Sequence, residues 1–104
     1  MLTFNSIQFD LGDVKFGDTK QQDVILTNNT FEAISVQSVG SSCSCTSGRM
    51  EKNPLEAYKS GKFHIFFNST KTGKGSQIKS IDLSWMEEGQ PRKQTIRFTV
   101  NVIN

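Results

Sequence analysis

The chain is predicted to be all-β, a single immunoglobulin-like antiparallel β-sandwich of about seven strands over residues 1–104. Three observations carry this. Apolar residues recur with a period of two in run after run, the spacing of half-buried strands. Turn-forming residues interrupt those runs at short intervals, as in two-sheet sandwiches. Helical spacing is almost absent, since Leu55-Glu56-Ala57-Tyr58 alone has a helical look and is too short to stand as a helix. A small closed barrel is the competing architecture.

In chain order, Ile7 with Phe9 and Val14 with Phe16 are short strand candidates. Val24-Ile25-Leu26-Thr27 and Ile34-Ser35-Val36 are β-branched, apolar runs that favour strands. Phe63, Ile65 and Phe67 alternate with His64 and Phe66; Ile81, Leu83 and Trp85 alternate with Asp82 and Ser84. Ile96, Phe98, Val100 and Val102 alternate with Arg97, Thr99 and Asn101. Trp85 shares a face with Ile81 and Leu83 and is expected in the core. Turns fall at Gly12-Asp13, Gly17-Asp18, Asn28-Asn29-Thr30, Ser47-Gly48, Asn53-Pro54, Thr72-Gly73-Lys74-Gly75 and Glu88-Gly89-Gln90-Pro91. The last two strands read as a hairpin, Gln77 to Met86 and Arg92 to Val102, joined by Glu87–Pro91. Pro91 cannot donate to a ladder, so it belongs to that loop or to the first residue of the strand.

With 104 residues the chain has the size of one domain. Such a chain buries roughly 65% of its unfolded surface, enough for a core without metal or disulfide support. Charge is nearly balanced, 12 basic against 10 acidic side chains, so no polyanionic partner is demanded and nucleic-acid binding is not expected. No stretch approaches the roughly 20 apolar residues of a membrane span. Met1-Leu2-Thr3-Phe4-Asn5 has no export-signal pattern, so a virion or cytoplasmic location is expected. On that expectation the glycosylation-like Asn28-Asn29-Thr30 and Asn68-Ser69-Thr70 are read as unmodified. Lys outnumbers Arg nine to three and Asn and Ser are frequent, a composition common in AT-rich genomes such as those of many phages.

The order of several short segments resembles the domain of unknown function 1573 family. These are bacterial immunoglobulin-like modules, similar in turn to Hydin-like and major-sperm-protein-like sandwiches. The family's opening Phe-x-Phe-Gly-x-Val-x-x-Gly type segment reads here Phe9-Asp10-Leu11-Gly12-Asp13-Val14-Lys15-Phe16-Gly17. Leu26-Thr27-Asn28-Asn29-Thr30 partly matches its next turn, and its Ser-Cys-Gly-Cys-Thr hallmark appears as Ser42-Cys43-Ser44-Cys45-Thr46. Asn53-Pro54-Leu55, Phe63–Asn68 and Thr72-Gly73-Lys74-Gly75 follow, so the resemblance covers residues 7 to 85. Two departures stand out. Ser44 replaces the Gly between the cysteines, where a positive φ would carry strain. Tyr58-Lys59-Ser60-Gly61 replaces an expected Pro-Gly-Glu turn. The resemblance implies a binding or structural module and supplies no catalytic residues.

In an extended strand Cys43 and Cys45 present both thiols on one face with Cα atoms about 6.6 Å apart. That is near the upper limit for a disulfide, and a kink at Ser44 would shorten it. Three readings follow: reduced thiols packed as small hydrophobes, which leads; a disulfide; or soft-metal binding, with copper(I) the best fit. A structural zinc site wants about four ligands, and His64 is the one further N/S donor. No metal site or cofactor is therefore expected, Cys43 and Cys45 being the weak candidates.

Catalysis is not expected. His64 lies mid-strand on the face opposite the apolar trio, and the acidic residues form no recognisable pairing. Lys71-Thr72-Gly73-Lys74-Gly75-Ser76 lacks the order of a phosphate loop. Lys71, Lys74, Lys79, Arg92 and Lys93 are read as solvation and edge protection that could also steer an acidic partner. Phe31 and Phe66 break the alternation and are expected to be exposed. With Lys71 and Lys74 they are the interface candidates. The expected function is a non-enzymatic structural or protein-interaction module, in its most concrete form an accessory or decoration component of a larger assembly such as a phage virion, docked on a repetitive protein surface. The alternative is a thiol or copper(I)-binding module using Cys43 and Cys45.

Overall fold

Eight strands make up the computed structural model, which describes residues 2–104. They are β1 (Leu2–Phe4), β2 (Gln8–Lys15), β3 (Thr19–Asn28), β4 (Val36–Ser41), β5 (Thr46–Met50), β6 (Ser60–Asn68), β7 (Gly75–Glu87) and β8 (Gln90–Ile103). One 3₁₀ turn, Ser69–Lys71, links β6 to β7. The strands form two four-stranded sheets, β1-β3-β6-β5 and β2-β8-β7-β4. Facing side chains fill the space between them: Val24, Leu26, Phe63, Ile65 and Phe67 from one sheet, Ile81, Leu83, Trp85, Ile96, Phe98, Val100 and Val102 from the other. The period-two runs thus point inward as expected, Trp85 included, and the predicted sandwich is what forms.

One pairing corrects the expectation of a wholly antiparallel fold. β2 runs parallel to β8, Gln8 opposite Arg97 and Lys15 opposite Ile103. The cause is a single N-terminal strand that changes sheets. β1 pairs antiparallel with β3, the chain crosses at Asn5–Ile7, and β2 continues in the same direction along β8. β1 and β5 are the strands the alternation does not reveal, and β5 corrects the turn expected at Ser47-Gly48, which pair with Phe66 and Ile65; with the two short N-terminal candidates merged into β2, the strands number eight. Within β2, Asp10 pairs with Thr99 and Asp13 with Asn101, so Leu11 and Gly12 together oppose Val100. Gly12 takes φ +72°, a backbone that glycine adopts without strain. This bulge turns both Leu11 and Val14 inward despite their spacing of three, and leaves Ile7 and Phe16 exposed.

The final hairpin is tighter than the predicted five-residue loop. Glu87 pairs with Gln90 across Glu88-Gly89, both at positive φ, the two-residue turn that matches strand twist. Pro91 then falls at a non-hydrogen-bonded position, its nitrogen directed away from β7, where β2 does not reach. Leu55–Tyr58 forms no helix.

Candidate functional site

From Ala33 to Gly48 the sequence carries no charged residue, although 21% of the chain is charged. This stretch folds into β4, the turn after it, and the start of β5. β4 is the edge of its sheet, paired with β7 alone. At its start Val36 is buried, and the Asn53 side-chain amide pairs with both its backbone groups: Val36 N–H donates to Asn53 Oδ1 at 3.0 Å, and Asn53 Nδ2 donates to Val36 O at 3.0 Å. The register then shifts between Val36 and Ser38, and the strand leaves the core. Gln37, Ser38, Val39, Gly40 and Ser41 are all exposed, on both faces.

The direction of the free backbone groups follows from register. Alternate β7 residues Ser84, Asp82 and Ser80 face β4, as the Ser42 N–H to Ser80 O bond of 3.0 Å confirms. Ser38, Gly40 and Ser42 therefore bond to β7, while Val39 and Ser41 turn their N–H and C=O outward. Every other edge carries a recognised block against strand addition. β1 is three residues long; β2 has the Gly12 bulge with Asp10, Asp13 and Lys15; β5 carries Arg49; the stretch of β8 beyond β2 carries Pro91, Arg92 and Lys93; the stretch of β7 beyond β4, Gly75–Lys79, carries Lys79; and the stretch of β3 beyond β1 carries Lys20 and Asp23. Among the described edges, β4 has no charge and no proline.

The β4–β5 turn holds both cysteines, and they are joined as a disulfide, correcting the leading expectation of free thiols. The chain kinks at residues 42–45 rather than staying extended, which brings the Cα atoms to 5.2 Å. Ser44 is not among the residues at positive φ, so its replacement of glycine costs no backbone strain. The bond closes a loop of three residues and so contributes only about 1.6 kcal/mol of chain entropy. Cys43 is half-buried, whereas Cys45 is 2% exposed. The Cys45 N–H points at Cys43 Sγ, 3.1 Å away, and the Thr46 hydroxyl lies 3.5 Å from Cys45 Sγ. With the sulfurs bonded to each other, neither offers a thiolate to copper(I) in this state.

The predicted interface residues do not converge. Phe31 is 70% exposed in the β3–β4 loop, where it shares a shallow depression with Met86 at one end of the sandwich. Phe66 lies toward the other end, on the outer face of β6, and corrects the expectation of exposure. It is half-buried beside His64 with the Arg49 guanidinium 5.9 Å from its ring centre. Lys71 and Lys74 are exposed in the β6–β7 loop, and Lys74 sits over Phe16 at 5.3 Å. Beside Phe66, His64 bridges two strands: Nδ1 is 2.7 Å from Asp23 of β3, and Nε2 is 3.4 Å from Glu51, just past β5. The Gln21 amide first, and the His64 ring second, hold the Asp23 carboxyl below its ordinary range. Both His64 nitrogens thus serve a structural brace. The alternation marks only the start of β4, at Val36; the signal for its exposed part is the absence of charge rather than any residue.

Comparison with known proteins agrees with this architecture. The family model described as "Protein of unknown function (DUF1573)" matches residues 2–102. No curated protein sequence matches. Among solved structures, the PapD-like domain 7 of human CEP192 superimposes with a TM-score of 0.77 at 12% identity, covering 99% of this chain and 85% of that one. A protein of unknown function from Porphyromonas gingivalis W83 gives 0.82 at 14% identity, over 96% of this chain and 46% of that one. The E. coli chaperone DraB gives 0.69 at 9%, over 98% and 55%. At these identities the likeness is one of fold.

Proposed function

We propose, for a chain that belongs to the DUF1573 family, a non-enzymatic role as a protein-interaction module that accepts an extended segment of a partner protein along β4. The observation that carries this reading is the unblocked edge: five consecutive exposed, uncharged residues, with the N–H and C=O of Val39 and Ser41 turned outward. Unpaired ladder groups of this kind template strand addition, the main chain giving affinity and the alternate side chains selectivity. Val39, 37% exposed, supplies apolar contact on one face of the added strand. The likeness to the chaperone DraB agrees with a protein partner. For catalysis the constellation is unfavourable, because the single histidine is engaged by two carboxylates and the two cysteines by each other.

Val39→Pro tests this reading cleanly. The Val39 N–H faces outward, so proline there removes a docking donor and leaves the β4–β7 ladder bonds in place. Tagged protein recovered from its source cells is expected to carry a protein partner that Val39→Pro loses and that a change at the exposed loop residue Tyr58, Tyr58→Ser, keeps. Retention by both variants, or loss by both, contradicts the assignment to β4. The finer reading, an accessory component of a phage virion or similar repetitive assembly, rests on the Lys-, Asn- and Ser-rich composition. Its test is the presence of the protein in purified particles, and its absence from every particle preparation ends it.

A further inference from the structure

We propose that the Cys43–Cys45 disulfide is a thiol–disulfide exchange site, opened by an incoming thiolate at Cys43. This is independent of strand addition at β4. Four features of the turn point to it. The bond closes only three residues, so it is a poor staple for a fold whose core, Cys45 apart, is aliphatic and aromatic. It sits between two ladders that stand on their own, the Ser42 N–H to Ser80 O bond before it and the Asn68 N–H to Cys45 O bond after it, so opening is local. The two sulfurs differ in access, Cys43 half-buried and Cys45 2% exposed, which gives the exchange a direction. Each sulfur also has a donor beside it: the Cys45 N–H at 3.1 Å from Cys43 Sγ, and the Thr46 hydroxyl at 3.5 Å from Cys45 Sγ.

The step balances without a further redox partner. The thiolate of an incoming thiol attacks Cys43 Sγ, a new sulfur–sulfur bond forms to Cys43, and the Cys43–Cys45 bond breaks. Its electron pair leaves on Cys45 Sγ as a thiolate, which the Thr46 hydroxyl meets with a hydrogen bond. Return attack by Cys45 on Cys43 expels the incoming thiol and restores the starting state. A second equivalent of thiol instead takes the mixed disulfide to the dithiol and releases the thiol's own disulfide.

The test mixes the untagged protein with reduced glutathione in one arm and with a cysteine-bearing extended peptide in another. Free thiols are trapped by acid and alkylation within seconds, and the adduct is located by peptide mass. The expected result is a mixed disulfide on Cys43 with an alkyl group on Cys45, and the faster arm tells whether a small thiol or a polypeptide cysteine is the better partner. A parallel pair, Cys45→Ser and Cys43→Ser, is reacted with oxidised glutathione. Cys43 in the first is expected to react about tenfold faster than Cys45 in the second. An adduct formed preferentially on Cys45, or no reaction in any arm, overturns the proposal.

Discussion

At the residue scale, Gly48 is the glycine with least room for a side chain. A Cβ there would stand 2.4 Å from the Phe63 ring, a fully buried side chain in the strand beside it. Gly48→Ala is expected to lower the unfolding free energy by about 1–3 kcal/mol in urea titration, the usual cost of overpacking. No loss would mean that the Phe63 ring has room to move. Tyr58 makes the opposite case. It holds φ +57° while 69% exposed, so its side chain gains little packing for a backbone that glycine adopts freely. Tyr58→Gly is expected to stabilise the protein by about 1 kcal/mol in the same titration, and destabilisation would show a contact that holds the ring. Neither effect is legible in the sequence, where Gly48 reads as a turn and Tyr58 as part of a helical-looking segment. Asn28 likewise reads as a turn residue, yet it is fully buried and its amide donates to Glu32 O and Leu55 O while accepting from Thr30.

At the element scale, legibility follows burial on one face. β6, β7 and β8 each pack one side against the core, so their alternation could be read directly from the sequence. β1 is too short to show a period, and β2 hides its own behind the Gly12 bulge. β4 has no alternation, because after Val36 neither face is covered; Ile34-Ser35-Val36 marked only its beginning. That a run without charge forms an edge depends on pairings between residues far apart in the chain, which local patterning does not carry. The outer face of the other sheet has its own signature, the Asp23–His64–Glu51 brace across β3, β6 and the end of β5. Asp23 titrates lower folded than unfolded, so its contribution is complete above the ordinary carboxylate value and is lost as pH falls from about 4 through the lower folded value. Urea midpoints between pH 5 and pH 2 should therefore fall less steeply for Asp23→Asn than for the parent. Some slope should persist, because the Gly12 N–H and the Thr95 hydroxyl lower Asp10 and Asp82 in the same direction. Equal slopes would show that the brace does not act in solution.

At the scale of the whole molecule, the sandwich guards its edges unequally. Bulge, proline, charge and short length protect three sides, and β4 is left as an uncharged strand ending at a disulfide turn. Phe31 with Met86 and the lysines of the β6–β7 loop lie at opposite ends and do not form one surface with it. The most direct measurement is photocrosslinking in the source cells, with a photoreactive side chain placed at Val39 and, in a separate protein, at Tyr58 in the β5–β6 loop. Strand addition predicts a defined protein adduct from position 39 and none from position 58, where the side chain is 69% exposed but lies outside every strand. Adducts from position 58 alone, or from neither, would contradict it.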